Sequence, residues 1–281
     1  MADFTVVVTG AGGQLGQELV SLRRPGVTFI GLDREQLDIT DSSSCRQVME
    51  RINPDAVIHA AAYTAVDLAE SEPEKAYLIN VTGTRNMAEA TESVGAKFCY
   101  VSTDYVFDGR GKQPYGEDDR TGPQTVYGRT KLEGEQAALA ACSRTFVVRT
   151  SWVYGKYGAN FVHTMLKLAE TRPSLTVVND QTGSPTYTLD LARFLTDLVL
   201  TELYGVYHAS NSGTCTWFQF AQAIFEESGK SVQVLPCTTQ EFPRPAPRPA
   251  YSVLGHDAME RAGFEPMRHW RQALRDFLVK D

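Results

Sequence analysis

Apolar residues in the first half of the chain fall in short unbroken runs separated by glycine, polar turns and stretches of helical spacing. Phe4-Thr5-Val6-Val7-Val8 is apolar and β-branched without polar alternation, the pattern of a strand covered on both faces. Similar runs at 27–32, 56–60, 97–102 and 146–149 predict further buried strands. Between them lie helical patterns. One follows the first strand through Leu19, Val20 and Leu22. Another covers 76–94, with apolar positions at Ala76, Leu78, Ile79, Met87 and Ala90 and with Asn80 on the sheet side. A third carries Lys131 and runs through Leu132 and Ala137 to Ala141. Later, 189–200 reads as a helix and 205–209 as a strand. Repeated strand–helix–strand units predict an α/β fold: a Rossmann-like, doubly wound parallel sheet with ligands at the carboxyl ends of its strands.

Length and composition narrow the picture. The 281 residues suffice for one large α/β domain, alone or with a smaller lobe. A net charge of −7 argues against a nucleic-acid surface, although local arginines can still form an anion pocket. The five cysteines are odd in number, widely spaced and without a C-x-x-C pair, which fits reduced thiols in the cytoplasm. The five histidines form no pair at metal-ligand spacing, so no metal site is predicted. There is no signal-peptide pattern at the start, and no apolar run approaches membrane-spanning length.

The candidate chemistry begins at the end of the first strand. Thr9-Gly10-Ala11-Gly12-Gly13-Gln14-Leu15-Gly16 joins strand to helix and spaces Gly10, Gly13 and Gly16 as G-x-x-G-x-x-G. Glycine permits a tight turn and close backbone approach to a pyrophosphate, and the helix N-terminus adds free N–H groups and partial positive charge. The second apolar run ends at Asp33-Arg34. A carboxylate there is the expected ligand of an adenosine ribose and favours NADH, whereas Arg34 suits a 2′-phosphate and favours NADPH. The two neighbours pull in opposite directions, so both cofactors stay open. Asp38-Ile39 stands where an adenine edge would be met, and the small residues Ala60-Ala61-Ala62 would let a cofactor lie against the backbone.

Tyr127 and Lys131 are four residues apart, which puts them on one helix face about a turn apart. A phenol has a reference pKa of about 10; a cation about 5 Å away at an effective dielectric near 20 would lower it by roughly two units. That would bring Tyr127 into range for proton exchange with a reacting oxygen. Taken alone, the spacing arises by chance and is usually that of a solvated helix face. The strand exit at Ser102-Thr103-Asp104-Tyr105 adds a hydroxyl at the carboxyl edge of the sheet, placed either to cap a turn or to donate to a substrate carbonyl.

With these pieces together, the chain resembles the extended, nucleotide-sugar branch of the short-chain dehydrogenase/reductases, and within it the dTDP-4-dehydrorhamnose reductase family. The resemblance rests on Ser102-Thr-Asp-Tyr-Val-Phe-Asp-Gly109, Val126-Tyr-Gly-x-Thr-Lys131, Arg149-Thr-Ser-Trp-Val-Tyr154, Asn179-Asp-Gln-x-Gly-x-Pro-Thr186, Ala60-Ala-Ala-Tyr-Thr-Ala-Val-Asp-x-Ala-Glu70 and Arg248-Pro-x-x-Ser252, and so spans nearly the whole chain.

The resemblance implies reduction of the 4-keto group of dTDP-4-dehydro-L-rhamnose by NADPH or NADH, a step in making surface polysaccharide. Tyr127 would be the proton donor. Lys131 would hold the nicotinamide ribose and lower the Tyr127 pKa, and Thr103 would bond the carbonyl. Asn80 would belong to the cofactor site. Asp104, Tyr105 and Trp152 would contact the substrate, although Trp152 reads equally as a core residue. Arg248 would meet the pyrophosphate, or stay solvated in its proline-rich loop. The family also admits a Mg²⁺ ion and a homodimer. It implies a cofactor domain of 1–151 plus about 186–211, and a substrate lobe of about 152–185 plus 212–281. Among relatives, 4,6-dehydratases carry Thr-Asp-Glu where this chain has Thr103-Asp104-Tyr105; 4-epimerases retain NAD. The regulatory subunit of methionine adenosyltransferase is a non-catalytic alternative, against which the presence of Thr103, Tyr127 and Lys131 argues.

Overall fold

In the computed structural model, which describes residues 3–280, the apolar runs become strands. The elements follow in chain order: β1 (Phe4–Thr9), α1 (Gln14–Ser21), β2 (Val27–Leu32), α2 (Ser42–Ile52), β3 (Ala56–His59), α3 (Val66–Ala69), α4 (Pro73–Tyr77), α5 (Thr84–Ser93) and β4 (Lys97–Thr103). Next come α6 (Val126–Ala141), β5 (Thr145–Thr150), β6 (Val153–Tyr154), α7 (Phe161–Leu168), β7 (Ser174–Val178), β8 (Thr182–Gly183), β9 (Thr186–Tyr187), α8 (Thr188–Val199) and β10 (Gly205–His208). The chain closes with β11 (Cys215–Thr216), α9 (Trp217–Ser228), β12 (Gln233–Cys237), α10 (Asp257–Arg261) and α11 (Trp270–Lys280).

Six strands form one sheet in the order β10-β5-β4-β3-β1-β2, parallel throughout. Both faces are covered, which is why β1 and β3 read as continuous apolar runs: Val6, Val7, Val8, Val57 and Ile58 are fully buried. On one face Leu15, Leu19, Leu191 and Leu195 pack on Val6, Val8 and Ile58. On the other, Met49, Met87 and Ala138 pack on Val7, Val57 and Phe98. The strand order reverses between β1 and β3. That leaves a crevice above the carboxyl end of β1, where the glycine turn lies.

A second core gathers Tyr154, Val177, Phe220, Ile224, Leu274 and Phe277 from 152–187 and from the C-terminal third, around the parallel pair β7–β12. The expected lobe boundary at 212 is crossed by one piece. Met259, with Ala258, Ala262 and Phe264, packs back on the large-sheet core beside Leu195 and Tyr207. Its apolar side chains find their partners there, not on the small lobe.

The helix expected over 76–94 is interrupted. Residues Leu78–Gly83 form a π-helical stretch between α4 and α5. The wider turn sends the Asn80 carbonyl toward α6, where Gly134 leaves room: a Cβ there would lie 2.4 Å from that oxygen. Such π segments accumulate near functional sites.

Candidate active site

A cavity of about 1590 Å³ runs from the glycine turn across the carboxyl edge of the sheet to the second core. It exceeds the usual volume of a single small-molecule pocket and has room for two ligands end to end. Gly10, Gly12, Gly13, Gln14, Leu15 and Gly16 line one end. Gly10 has φ +67°, and a Cβ would come within 2.7 Å of the Ala61 backbone. A Cβ on Gly16 would lie 2.2 Å from the Gly10 carbonyl oxygen. These glycines let the turn fold on itself and press against β3. The Gln14 side-chain oxygen is buried without a hydrogen-bond partner, a polar atom left for a ligand.

Asp33, Arg34, Asp38 and Ile39 line the same end, as do Ala60, Ala61 and Ala62. Asp33 Oδ1 accepts from the backbone N–H groups of Glu35 and Gln36, which fixes the carboxylate at the tip of β2. Asp38 Oδ1 accepts from the Thr40 N–H and hydroxyl, and these bonds hold its pKa below the ordinary carboxylate value. The exposed Arg34 guanidinium lies near enough to add to that effect. The orphan oxygen, the glycine cradle and the anchored carboxylate together fit a dinucleotide.

Asn80 stands apart from this set. It is fully buried and absent from the cavity lining. Its Oδ1 accepts from the Tyr63 N–H (2.8 Å), while its Nδ2 donates to the Tyr63 carbonyl and the Thr130 hydroxyl. With its amide used inside the protein, it corrects the cofactor-contact expectation: it ties the 60–63 segment to α6.

Thr103, Asp104, Tyr105, Tyr127 and Lys131 line the middle of the cavity. Tyr127 lies in the first turn of α6, whose start is fixed twice. The Thr125 hydroxyl caps it by accepting from Gly128 N–H, and Glu70 Oε1 accepts from Val126 N–H. Gly128 lets α6 touch the 3₁₀ turn (Asp104–Val106) that follows β4: a Cβ there would stand 2.2 Å from the Tyr105 carbonyl oxygen. The Tyr105 and Tyr127 rings meet edge to face at 5.5 Å. The Thr103 hydroxyl donates to Asp104 Oδ1 and accepts from Tyr105 N–H.

The electrostatics differ from the expectation for the Tyr–Lys pair. Burial pushes the Tyr127 phenol up to about 12, with the Thr103 hydroxyl pulling it down and the Asp104 charge pushing it up. Lys131 is turned to the strand. Its ammonium donates to the Val101 carbonyl oxygen at 2.7 Å and sits 4.1 Å from the centre of the Tyr100 ring. Burial brings Lys131 itself down to about 7, opposed by Glu135. Burial also raises Asp104 to about 6, against the Ser252 and Thr103 hydroxyls.

At the far end Trp152 lies in the cavity wall with φ +47°, a left-handed backbone that is uncommon outside glycine. It stacks on Trp217 at 3.6 Å and 8°. Gly183 makes room, since a Cβ there would approach the indole to 2.5 Å. Trp217 and Phe161, both in the wall, escaped the sequence reading. Trp217 opens α9 behind a Thr216–Gln219 capping box, a signal legible in sequence but silent about the partner across the cavity. Arg248 reaches the rim, where it pairs with Asp67 at 2.8 Å and donates to the Ala246 carbonyl. Arg172 and Arg244 also line this end. Among the described residues, no three or more His, Cys, Asp or Glu side chains gather to hold a metal ion. The Mg²⁺ admitted by resemblance therefore has no donor set there.

A parallel sheet with a glycine turn at its reversal point, and Thr, Tyr and Lys along the adjoining edge, define a Rossmann-like oxidoreductase of the short-chain dehydrogenase/reductase class. Residues 4–281 match the family model for the RmlD substrate binding domain. The chain is 50% identical over 274 residues to the spore coat polysaccharide biosynthesis protein SpsK of Bacillus subtilis, covering 97% of this chain and 96% of that one. It is 47% identical over 282 residues to the dTDP-4-dehydrorhamnose reductase of Mycobacterium tuberculosis strain H37Rv, covering 98% and 92%. The crystal structure of dTDP-4-dehydrorhamnose reductase from Bacillus anthracis str. Ames, in complex with NADP, superposes with a TM-score of 0.98 at 45% identity and covers all of both chains. The protein belongs to the dTDP-4-dehydrorhamnose reductase family.

Proposed function

We propose that the protein reduces the 4-keto group of dTDP-4-dehydro-L-rhamnose to give dTDP-L-rhamnose, drawing on NADPH or NADH. The observation that carries this reading is the single cavity that joins the glycine turn to the Trp152–Trp217 wall, with Tyr127 between them. The names of the relatives point the same way.

Gly10, Gly13, Gly16 and Gln14 would hold the dinucleotide pyrophosphate, and Asp33 with Arg34 the adenosine ribose end. A reduced nicotinamide, when bound, supplies the electron pair and one hydrogen to the keto carbon. Tyr127 supplies the proton to the carbonyl oxygen. A phenol raised to about 12 stays protonated at neutral pH, which suits a donor more than a base. Thr103 holds that phenol in place and faces the same oxygen. Lys131, anchored on Val101, presents its remaining N–H groups to ribose hydroxyls. Trp152 packs on the sugar, Asp104 and Tyr105 bound it, and Arg248 meets the substrate pyrophosphate.

Loss of NADPH absorbance with dTDP-4-dehydro-L-rhamnose generated in situ tests the reading; no consumption above background refutes it. A cytoplasmic site of action and a homodimer complete the proposal. The solution mass, set against 31.1 kDa for one chain, tests the second.

A further inference from the structure

Behind Lys131, below the cavity floor, lies a buried Glu135–Arg149 ion pair that the reaction above does not use. Glu135 follows Lys131 by four residues on α6, so Tyr127, Lys131 and Glu135 descend one helix face in successive turns. The last two dock on consecutive residues of β4. Lys131 Nζ donates to the Val101 carbonyl at 2.7 Å, and the Ser102 hydroxyl donates to Glu135 Oε1 at 2.5 Å. Glu135 also takes two bonds from Arg149 on β5, at 2.9 Å from Nε and 2.8 Å from Nη2. Lys131, Glu135 and Arg149 are 2%, 3% and 5% exposed.

Arg149 bonds both Glu135 oxygens, and Lys131, one turn earlier on the same buried face, feels that carboxylate's charge without bonding it. Of the other titratable groups facing the cluster, Glu117 gives Arg149 its backbone carbonyl and turns its buried carboxylate to the Ala258 N–H, and those that follow are neutral. From β3, His59 is fully buried and held neutral, at about 3, by burial and by the Lys131 charge. From β4, Tyr100 lies under the ammonium and its hydroxyl donates to the Lys131 carbonyl. From β10, His208 lies 3.4 Å from Arg149 Nη1 and is likewise neutral, brought down to about 3 by burial and then by Arg149. From α6, Tyr127 is protonated. A buried ammonium with no anion nearby loses its proton.

We infer that Glu135 is a positioning residue for the reaction: it is the counter-ion that keeps Lys131 charged for the cofactor, and not only half of a structural ion pair with Arg149. Lys131 is the only charged partner through which it acts on the cleft. The inference rests on the dinucleotide reading of the site but not on the identity of the sugar.

The test is NADPH affinity of the full chain as a function of pH, read by nucleotide fluorescence, which needs no sugar substrate. Loss of a carboxylate beside Lys131 favours the neutral amine. In Glu135→Gln the alkaline limb of NADPH affinity therefore moves down by roughly one pH unit or more, and lowering the pH restores binding. Ser102→Ala removes a hydrogen bond from Glu135 but no charge, so its limb stays with wild type. Should Glu135→Gln not fold, Glu135→Asp retains the charge at a greater reach and gives a smaller shift in the same direction. A limb unmoved in the folded Glu variant, with affinity lowered equally at every pH, overturns the inference. So does an equal shift in Ser102→Ala. Failure to reduce the dTDP-sugar with a normal NADPH limb would strike the proposed substrate alone.

Discussion

The Lys131 ammonium is bonded to the Val101 carbonyl, 2.7 Å away on the strand beneath it, and burial leaves the Tyr127 phenol raised to about 12, not lowered. Tyr127 is instead a buried, protonated hydroxyl whose nearest aid is Thr103. Tyr127→Phe should therefore remove the proton donor while leaving the NADPH end intact. We expect kcat to fall by roughly 10²- to 10⁴-fold with unchanged NADPH affinity. Steady-state rates with fluorescence titration check this, and a near-normal kcat would refute the donor role.

Thr103 lowers the Tyr127 pKa against burial and the Asp104 charge. Thr103→Val keeps the shape and removes the hydroxyl. We expect kcat to drop about tenfold or more with NADPH affinity kept. A kcat equal to wild type would count against it.

Asp104 is nearly fully buried, and its folded pKa is raised from 3.8 to about 6. The sign follows from proton linkage. A raised carboxyl contributes stability that is complete below its unfolded pKa and is lost as pH rises through the folded one. Wild type should thus lose stability between about pH 4 and 6 relative to Asp104→Asn, with a limiting difference on the order of 3 kcal/mol. Denaturant midpoints of the two proteins across that window measure it; a constant gap would contradict the raised pKa.

Gly128→Ala drives a methyl group into the Tyr105 carbonyl, 2.2 Å from the Cβ position. That carbonyl is backbone in the 3₁₀ turn after β4 and cannot swing aside, so the start of α6 must move off the turn and take Tyr127 with it. We expect about 1–3 kcal/mol of lost stability and a disproportionate fall in kcat. Thermal unfolding and turnover together test this; a stable, fully active variant would show that the helix can shift without moving the phenol.

Trp217→Leu deletes the ring stacked on Trp152. The pair contributes about 0.5–1.5 kcal/mol beyond area burial, and Trp152 would be less firmly held. We expect KM for the dTDP-sugar to rise while kcat is largely kept and NADPH affinity is unchanged. An unaltered KM would remove Trp217 from the substrate wall.

Legibility in the sequence followed locality. Gly10, Gly13 and Gly16 could be read because steric demands of a tight turn act within eight residues, and Asp33 because the end of β2 sets its place. Thr103, Tyr127 and Lys131 were legible as residue types at a strand exit and on a helix face. The direction of the Lys131 side chain was not, since it depends on a carbonyl of β4 exposed by the close approach of α6. Asn80 shows the same limit: its amide serves Tyr63 and Thr130, partners that helical spacing cannot announce. The π-helical stretch hid inside an ordinary helical pattern because Gly134, more than fifty residues later, supplies the space it needs. Trp217 was missed because its meaning comes from Trp152, which only the tertiary fold brings against it.

The Asp67–Arg248 bridge has a bearing on which anions the cleft mouth accepts. A singly charged group arriving at that guanidinium merely exchanges one carboxylate for an equivalent, with little net attraction. A diphosphate brings surplus negative charge and several acceptor oxygens, enough to share the arginine with its resident acid or to dislodge it. Should Arg248 meet the substrate pyrophosphate as proposed, this pairing would favour visitors of higher valence before any sugar or base is inspected.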